Sequence, residues 1–184
     1  MVEKMRKQMA EKFKLKNGKT VEIRPLTPDD YDAVEKFFHS LSRQTIFTNQ
    51  YPGQPKKDKK KSDQAYQDPN NYFLSAFKGK RLVAVSSLNI FKPGHPWCGR
   101  NAGFGISILE AYHGHGLGAK LMAMLEQWAR GKGVHRIYGE VRHTNIRAIS
   151  LYIKCGFVIE GLARETAFIN GKWHHSYHIG KILD

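Results

Sequence analysis

Residues 112–121 read YHGHGLGAKL, and this glycine-rich turn separates two patterns that predict different secondary structures. Residues 101–109, before the turn, favour a strand whose two glycines indicate a bulge or the close approach of another backbone. From about residue 116 to 131, apolar side chains recur at helical spacing instead. The turn constrains the chemistry as well as the fold, because the start of a helix presents unpaired backbone amides.

The turn can be interpreted as an anion site or as a metal site. Without Cβ atoms at Gly114, Gly116 and Gly118, phosphate oxygens could approach the amides at the positive end of the helix dipole. The spacing fits neither the Gly-x-Gly-x-x-Gly of dinucleotide-binding folds nor the Gly-Lys-Ser/Thr of a Walker A loop. A metal bound by His113 and His115 lacks a third ligand at a suitable spacing. We therefore predict no metal site.

The remaining patterns predict one sheet with helices on both of its faces. We expect strands at 19–24, 72–77, 81–90, 101–109, 134–141, 157–169 and 172–183. We expect helices at 29–41, 60–67, 116–131 and 145–154, with a further short helix within 1–16. A mobile loop is expected at about 48–63. This order predicts an α+β fold with α/β-type layering. The sheet would be mixed, mostly antiparallel and six- to seven-stranded.

The charge distribution divides the chain into two parts. The formal net charge of +14 comes from 30 Lys and Arg against 16 Asp and Glu. Much of the excess lies in the first residues and in Lys56–Lys61. A solvated tail and loop would account for it, but such an excess also favours polyanions such as nucleic acid, a ribosome or a phosphorylated cofactor. We predict a basic N-terminal extension, residues 1–18, and a single domain, residues 19–184.

Length and composition exclude several classes of protein. The 184 residues are 41% hydrophobic, which suits a folded domain and not a disordered chain. No apolar run approaches the ~18 residues of a membrane span, and the charged N-terminus lacks the apolar region of a signal peptide. Cys98 and Cys155 form no Cys-x-x-Cys pair and are expected to be free thiols. We therefore expect a cytoplasmic protein without a membrane partner.

A second pattern, NIRAISLYIKCGFVIEG at residues 145–161, follows the glycine turn after one predicted strand. Together, Tyr-x-Gly-x-Gly-x-Gly and Asn-x-x-Ala-x-x-Leu-Tyr-x-x-x-Gly-Phe-x-x-x-Gly resemble the GNAT superfamily of acyl-CoA-dependent N-acyltransferases. The resemblance spans about residues 20–183. It implies an N-acetyltransferase that uses acetyl-CoA as cosubstrate, and a sheet with a splayed parallel pair of strands at 101–109 and 134–141.

The resemblance implies that the glycine turn grips the pyrophosphate of coenzyme A. Members of the family use Arg/Gln-x-x-Gly-x-Gly/Ala for this, and here a histidine stands at the first position. Because the grip consists mostly of backbone amides, we expect binding to survive the change. Either the lost cationic contact weakens it, or His115 supplies a substitute cation. The implied residues are His113, Gly114, His115, Gly116, Leu117, Gly118 and Ala119.

The pantetheine arm is implied to run along the strand before the turn. The backbone of Ile106, Ser107 and Ile108 would pair with the arm, and amides of this strand would polarise the thioester carbonyl. Asn145 would bond the arm from the end of the neighbouring strand. The same residue could instead cap the next helix, and the two roles are compatible.

Tyr152 matches the family's usual general acid. Amine attack expels a thiolate of pKa ~8.5, which a phenol of pKa ~10 can protonate. The alternative is a half-buried tyrosine on a helix face. Cys155 is interpreted as a core residue and not as an acyl-enzyme nucleophile, because proximity alone favours direct transfer between two bound substrates.

The general base is harder to assign, because the strand before the glycine turn carries neither Glu nor His. Glu140, on the next strand, is our candidate, ahead of His143 and Glu165. A water chain, or an α-amine acceptor of pKa ~7.7–8.0, would need no dedicated base.

Two classes of function follow. The first is an enzyme that moves an acetyl group from acetyl-CoA to a primary amine of a small molecule or peptide. The alternative is a nucleic-acid- or ribosome-binding module with a CoA-sensing or idle site. The basic N-terminus and Lys56–Lys61 predict contact with polyanions, and a basic rim disfavours polycationic acceptors. The sequence leaves open whether the chain forms a homodimer.

Overall fold

A computed structural model describes residues 10–42 and 58–183, which form one eight-stranded sheet with helices on both faces. Its strands are β1 (Glu11–Lys14), β2 (Thr20–Pro25), β3 (Asn71–Lys78), β4 (Arg81–Ile90), β5 (Asn101–Ile108), β6 (Arg136–Arg142), β7 (Val158–Ile169) and β8 (Lys172–Ile182). Its helices are α1 (Tyr31–His39), α2 (Lys59–Gln67), α3 (Leu117–Gly131) and α4 (Ile146–Lys154). The strand order is β1-β2-β3-β4-β5-β6-β8-β7, and the β5–β6 pair is parallel while the other pairs are antiparallel.

The predicted α+β class with a mixed, mostly antiparallel sheet is confirmed, but the sheet has eight strands and not six to seven. The additional strand is β1, so the helix predicted within residues 1–16 is wrong over Glu11–Lys14. These residues pair with β2, and Leu15 behind them is 2% exposed. Burial and ladder hydrogen bonds outweigh the helical spacing of a few apolar residues. Residues 1–9, which carry the rest of that helix prediction, lie outside the described residues.

Two layers of helices cover the sheet. Tyr72 of β3 stacks on Trp128 of α3, with ring centroids 5.2 Å apart. The next residue, Phe73, packs edge-on against Tyr66 of α2 at 5.0 Å. Because successive residues of a strand point to opposite faces, α3 and α2 lie on opposite sides of the sheet. Within the described ranges, no helix is long and apolar enough to cross a membrane.

Helix α1 is held on the same face as α2 by Arg24 of β2. The Arg24 guanidinium lies 4.1 Å from the ring centroid of Phe77, and Phe77 lies on the same face of β3 as Phe73. The same group donates two hydrogen bonds of 2.7 Å to Asp30, directly before α1. This bidentate pair fixes where α1 leaves the sheet.

Most other predicted elements are confirmed within one to three residues of their bounds. The β7–β8 hairpin turns at Asn170 and Gly171, whose φ values of 50° and 74° are those of a tight hairpin turn. Of the mobile loop predicted at 48–63, residues 48–57 are outside the described residues, and the part from Lys59 onward is helical.

The parallel pair of strands separates after a short pairing. Asn101–Gly103 of β5 pair with Arg136–Tyr138 of β6. Beyond this, β6 continues beside β8 to Arg142, while β5 continues beside β4 to Ile108. The predicted splayed parallel pair is therefore confirmed, and it opens a gap in the middle of the sheet.

Candidate active site

A cleft of about 1540 Å³ follows the gap between β5 and β6 and is lined from both faces of the sheet. The glycine turn and α4 line it on one side. Phe38 of α1, Tyr66 of α2 and Phe73 of β3 line it on the other. Small-molecule sites typically enclose about 300–1,000 Å³. The cleft therefore has room for two substrates at once.

The edge of β5 that faces β6 borders this cleft. Ile106, Ser107 and Ile108 line the cleft and pair with β4 through the opposite edge of the strand. Among the described residues, no strand lies beside β5 along this part of its cleft-facing edge. An extended ligand can therefore run beside β5 in the position of a further strand.

Two glycines clear the face of β5 that looks toward α1 and α2. A Cβ atom at Gly103 would lie 3.6 Å from the Tyr138 ring, and one at Gly105 would lie 3.3 Å from Ser87 Oγ. The pairing of β5 with β4 runs in unbroken register. The bulge is therefore wrong, and the atoms nearest to both Cβ positions belong to side chains and not to another backbone.

The glycine turn brings backbone amides to one end of the cleft. Gly114 and Gly116 have φ values of 77° and 88°, a left-handed conformation that favours glycine. The first hydrogen bond of α3 runs from the Lys120 N–H to the Gly116 carbonyl, at 3.1 Å. The amides of residues 117–119 precede this bond, so they stand outside the helical ladder and can bind an anion.

The first turn of α3 also packs closely on α4. Leu117 is fully buried and is not among the residues that line the cleft. A Cβ atom at Gly118 would lie 2.8 Å from Leu151 Cδ2, and glycine therefore lets the two helices touch. Gly118 and Ala119 both line the cleft.

His113 stands at the family's Arg/Gln position and joins β5 to α4. Its Nε2 donates to the Ile108 carbonyl at 2.8 Å, and Arg147 Nη1 donates to its Nδ1. Burial lowers the pKa of His113, and the Arg147 charge lowers it further against the opposing effect of the Ile108 carbonyl. The ring is therefore neutral at pH 7 and is not the cation that an arginine would be.

Arg147 provides a cation beside His113 at the glycine turn, and it is not among the residues predicted from the sequence. It lies in the first turn of α4, is exposed and lines the cleft. His115, the candidate substitute cation, is not among the lining residues, and its carbonyl accepts a hydrogen bond from the Lys16 N–H. Only the position of α4 beside the turn reveals Arg147, and no local pattern marks it.

Asn145 lies at the start of α4 and lines the cleft. Its Oδ1 accepts a hydrogen bond of 3.2 Å from the Ala148 N–H, so the residue caps the helix. The cap uses the oxygen of the side-chain amide, whose nitrogen is a separate donor. This geometry is compatible with both predicted roles.

Tyr152 lines the cleft from the α4 side and is 7% exposed. Its ring packs edge-on against Phe104 of β5, with centroids 5.1 Å apart. A Cβ atom at Gly139 would lie 2.6 Å from Phe104 Cε1, so this glycine makes room for the pair. Burial raises the pKa of the Tyr152 phenol, and the Cys155 thiol raises it further. The phenol is therefore protonated at neutral pH and can act as a proton donor.

Glu140 approaches the gap from the other face of the sheet. Gly139 points toward Phe104 and Tyr152, so the next residue of β6 points away from them. Its register partner on β8 is His178, and both residues are exposed and line the cleft. A general acid and a general base candidate thus lie on opposite sides of the gap.

Arg142 continues the same row of β6 and is a second residue that the sequence analysis missed. It is 6% exposed, and its Nη1 donates to Thr166 Oγ1 and Ser176 Oγ, both at 3.3 Å. Its Nε has no hydrogen-bond partner, and no carboxylate of the described residues forms an ion pair with it. Arg142 is not itself among the residues that line the cleft, but buried charges are normally paired, which makes this guanidinium a candidate to meet an anionic group.

The weaker candidates lie away from the cleft. Neither His143 nor Glu165 is among its lining residues, and both are tied to His175 by hydrogen bonds of 2.8–3.2 Å. Burial raises the pKa of the Cys155 thiol, and Glu126 raises it further while Lys181 lowers it. A protonated thiol is a poor nucleophile. In the described part of the chain, no group of three or more His, Cys, Asp or Glu side chains could hold a metal ion.

Comparisons with known proteins agree on the family. The family model of the acetyltransferase (GNAT) family matches residues 35–157, which is more than half of the chain. The chain is 33% identical over 108 residues to the N-alpha-acetyltransferase RimI of Mycobacterium tuberculosis, covering 56% of this chain and 62% of that protein. It is 32% identical over 113 residues to the L-amino acid N-acetyltransferase AaaT of Escherichia coli, covering 56% of this chain and 68% of that protein. It spans less than two thirds of the length of the first curated relatives that it matches.

The fold has counterparts among solved structures. The structure of yncA from Salmonella typhimurium with its cofactor acetyl-CoA has a TM-score of 0.75 and 18% identity, covering 89% of this chain and 94% of that chain. At this identity the likeness concerns the fold alone. The match of the family model decides the membership: the protein belongs to the GNAT family of acetyltransferases.

Proposed function

We propose that the protein is an N-acetyltransferase that moves an acetyl group from acetyl-CoA to a primary amine in a ternary complex. The observation that carries this proposal is the gap between β5 and β6, with the glycine turn at one end and Tyr152 beside it. Membership of the GNAT family supports the same activity. The structural neighbour yncA was solved with acetyl-CoA, which supports the cosubstrate.

Coenzyme A would be held mostly by backbone. The amides that precede the first hydrogen bond of α3 would bind the pyrophosphate, aided by the helix dipole. Arg147, held by the neutral ring of His113, would supply the positive charge. Along the pantetheine arm, residues 106–108 would pair as an adjacent strand, and the Asn145 side-chain nitrogen would donate a further hydrogen bond.

Glu140 and Tyr152 would handle the protons from opposite sides of the gap. Glu140 takes one proton from the acceptor ammonium and passes it to solvent. The amine then attacks the thioester carbonyl carbon, and amides of β5 stabilise the oxygen that becomes negative. As the C–N bond forms and the C–S bond breaks, Tyr152 protonates the leaving sulfur. The nitrogen then loses its proton to solvent and the Tyr152 phenolate takes one proton back from solvent, so the products are an amide and the CoA thiol and the phenol is restored.

The acceptor would enter from the face of α1 and α2, where Gly103 and Gly105 leave β5 accessible. Arg142 lies two residues beyond Glu140 on the same face of β6, so an acceptor with a carboxylate near its amine could pair with both. The net charge of +14 favours an anionic acceptor in the same way. RimI is named an N-alpha-acetyltransferase, and AaaT is named an L-amino acid N-acetyltransferase. We therefore favour an amino acid or an acidic peptide.

Release of free thiol from acetyl-CoA tests the proposal. Each amino acid of a panel is paired with its α-carboxamide, which keeps the amine and removes the carboxylate, and spermidine serves as a polycationic acceptor. We expect saturable release with amines, fastest for those with a carboxylate. Equal rates for acids and amides would remove Arg142 from the account. No release with any amine, despite binding of acetyl-CoA, would sink the enzymatic function.

Other predictions stay predictions. Contact with polyanions was expected through the basic N-terminus and Lys56–Lys61, but residues 1–9 and 43–57 lie outside the described residues. Within the Lys56–Lys61 segment, the structure describes Lys59–Lys61, which begin α2 and are exposed. The homodimer, the cytoplasmic location and the domain boundary at residue 18 are likewise untested, although β1 and Leu15 belong to the sheet and core of the domain.

A further inference from the structure

The N-terminal strand lies against the glycine turn. After β1, the Lys16 N–H donates to the His115 carbonyl at 3.1 Å. Glu11 of β1 forms an ion pair of 2.8 Å with Lys120 in the first turn of α3. Phe13 completes the contact, since its Cζ lies 3.8 Å from where a Cβ atom of Gly116 would be. Three separate contacts therefore join a segment that precedes the predicted domain to the turn that would bind phosphate.

Lys16 is the cation that this arrangement brings to the turn. Its Cε lies 3.9 Å from the Cβ position of Gly116, and its ammonium is one bond farther along an exposed side chain. Among the described residues no carboxylate forms an ion pair with it, whereas Lys120 is paired with Glu11. His113 is neutral, so it does not compete for an anion here. The turn therefore has Arg147 beside His113 and Lys16 beside Gly116.

We propose that Lys16 is a phosphate-binding residue for acetyl-CoA and that β1 positions it over the glycine turn. The inference rests on the proposed function, because it concerns the same cofactor site. It assigns the ammonium to the pyrophosphate, which would lie on the amides beside Gly116. An ammonium placed beside bound phosphate oxygens strengthens binding as a charge-assisted contact. Part of the basic N-terminal segment thus belongs to the cofactor site.

Three variants separate the charge of Lys16 from its packing. Lys16→Met keeps an unbranched stem against Gly116 and removes the charge, whereas Lys16→Arg keeps a charge. Lys14→Met is the matched control, because it removes the same charge from an exposed residue of β1 that points away from Phe13 and the turn. Binding of CoA and of 3′-dephospho-CoA is measured by calorimetry. Turnover is measured with acetyl-CoA and with S-acetylpantetheine, which has no pyrophosphate.

We expect Lys16→Met to weaken binding of both CoA and 3′-dephospho-CoA by about three- to tenfold. The rate at which Lys16→Met turns over S-acetylpantetheine should stay within about twofold of that of the unchanged protein. The affinities of Lys16→Arg and Lys14→Met for CoA should also stay within about twofold. Wild-type affinity in Lys16→Met would overturn the proposal. An equal loss with S-acetylpantetheine would show a structural effect instead, and a loss confined to CoA would move the contact to the 3′-phosphate. If the unchanged protein binds neither CoA nor 3′-dephospho-CoA, the proposed function and the role of Lys16 are both overturned, whereas a normal affinity in Lys16→Met overturns the role of Lys16 alone.

Discussion

The two sides of the β5–β6 gap are built from different parts of the chain. The proposed cofactor side consists of the glycine turn and the edge of β5, where a ligand would meet mostly backbone groups of consecutive residues. The proposed acceptor side includes the side chains of Glu140 and His178, which are register partners on β6 and β8, and the buried Arg142 lies two residues farther along β6. A backbone site tolerates exchanged side chains, such as histidine at the usual Arg/Gln position. A side-chain site does not, so we expect the proposed acceptor side to set the specificity of this chain.

Replacing Tyr152 should have the largest effect, because this residue lies on the cofactor side but acts through its side chain. We expect Tyr152→Phe to lower kcat by about 10²- to 10³-fold while the Kd for acetyl-CoA changes by less than about threefold. Steady-state kinetics and calorimetry measure the two quantities. Tyr177→Phe, on β8 and not among the cleft-lining residues, serves as the control. A variant with normal kcat would remove the phenol as the acid.

Glu140→Gln tests the acceptor side. We expect kcat/KM to fall by about 10- to 100-fold for an amine of pKa ~10, and less for an α-amine of pKa ~8, which is partly deprotonated at neutral pH. The KM for acetyl-CoA should not change. Rates from pH 6 to 9 with both amines measure the difference, with Glu22→Gln of β2 as the control. If both amines lose activity equally, Glu140 is not the base.

Gly139→Ala tests how closely the two sides are joined. The new methyl group would lie 2.6 Å from Phe104 Cε1, so the ring and the Tyr152 packed on it must move. We expect a loss of about 1–3 kcal/mol in the free energy of unfolding, together with a lower kcat. Gly161→Ala is the matched control, because nothing lies within 4 Å of its Cβ position. Equal denaturant midpoints for the two variants would contradict the packing described.

The smallest effect concerns His113, where the site should tolerate exchange. The unfolded chain binds a proton at this residue below pH ~6.5, whereas burial and Arg147 lower the pKa in the folded state. Stability from this residue is therefore present above pH ~6.5 and is lost as the pH falls through the lowered pKa. We expect the Tm of His113→Gln to fall less between pH 7.5 and pH 5 than the Tm of the unchanged protein. The KM of the variant for acetyl-CoA at pH 7.5 should be within about threefold of that of the unchanged protein. Parallel Tm curves would show that the ring does not titrate as described.

The sequence predicted the elements whose structure depends on neighbouring residues along the chain. The helices and the strands from β3 onward follow apolar periodicity, and the turns follow glycines whose left-handed φ no other residue adopts as easily. Strand β1 was missed because four residues carry little periodicity and its pairing is decided by β2. Lys16 and Arg147 were missed because they reach the turn from distant parts of the chain. The pairing of Glu140 with His178 depends on the order β6-β8-β7, which sequence order does not give.

The central claim is that the gap between β5 and β6 holds acetyl-CoA on its backbone. Amide chemical shifts followed by NMR during a titration with CoA test it most directly. The account predicts saturable shifts concentrated in residues 105–108 and 114–119, which border the cleft or form the turn. The amides of the β7–β8 hairpin tip, near Asn170 and Gly171, should stay unchanged. Saturable shifts centred elsewhere, or none in the glycine turn at millimolar CoA, would contradict it.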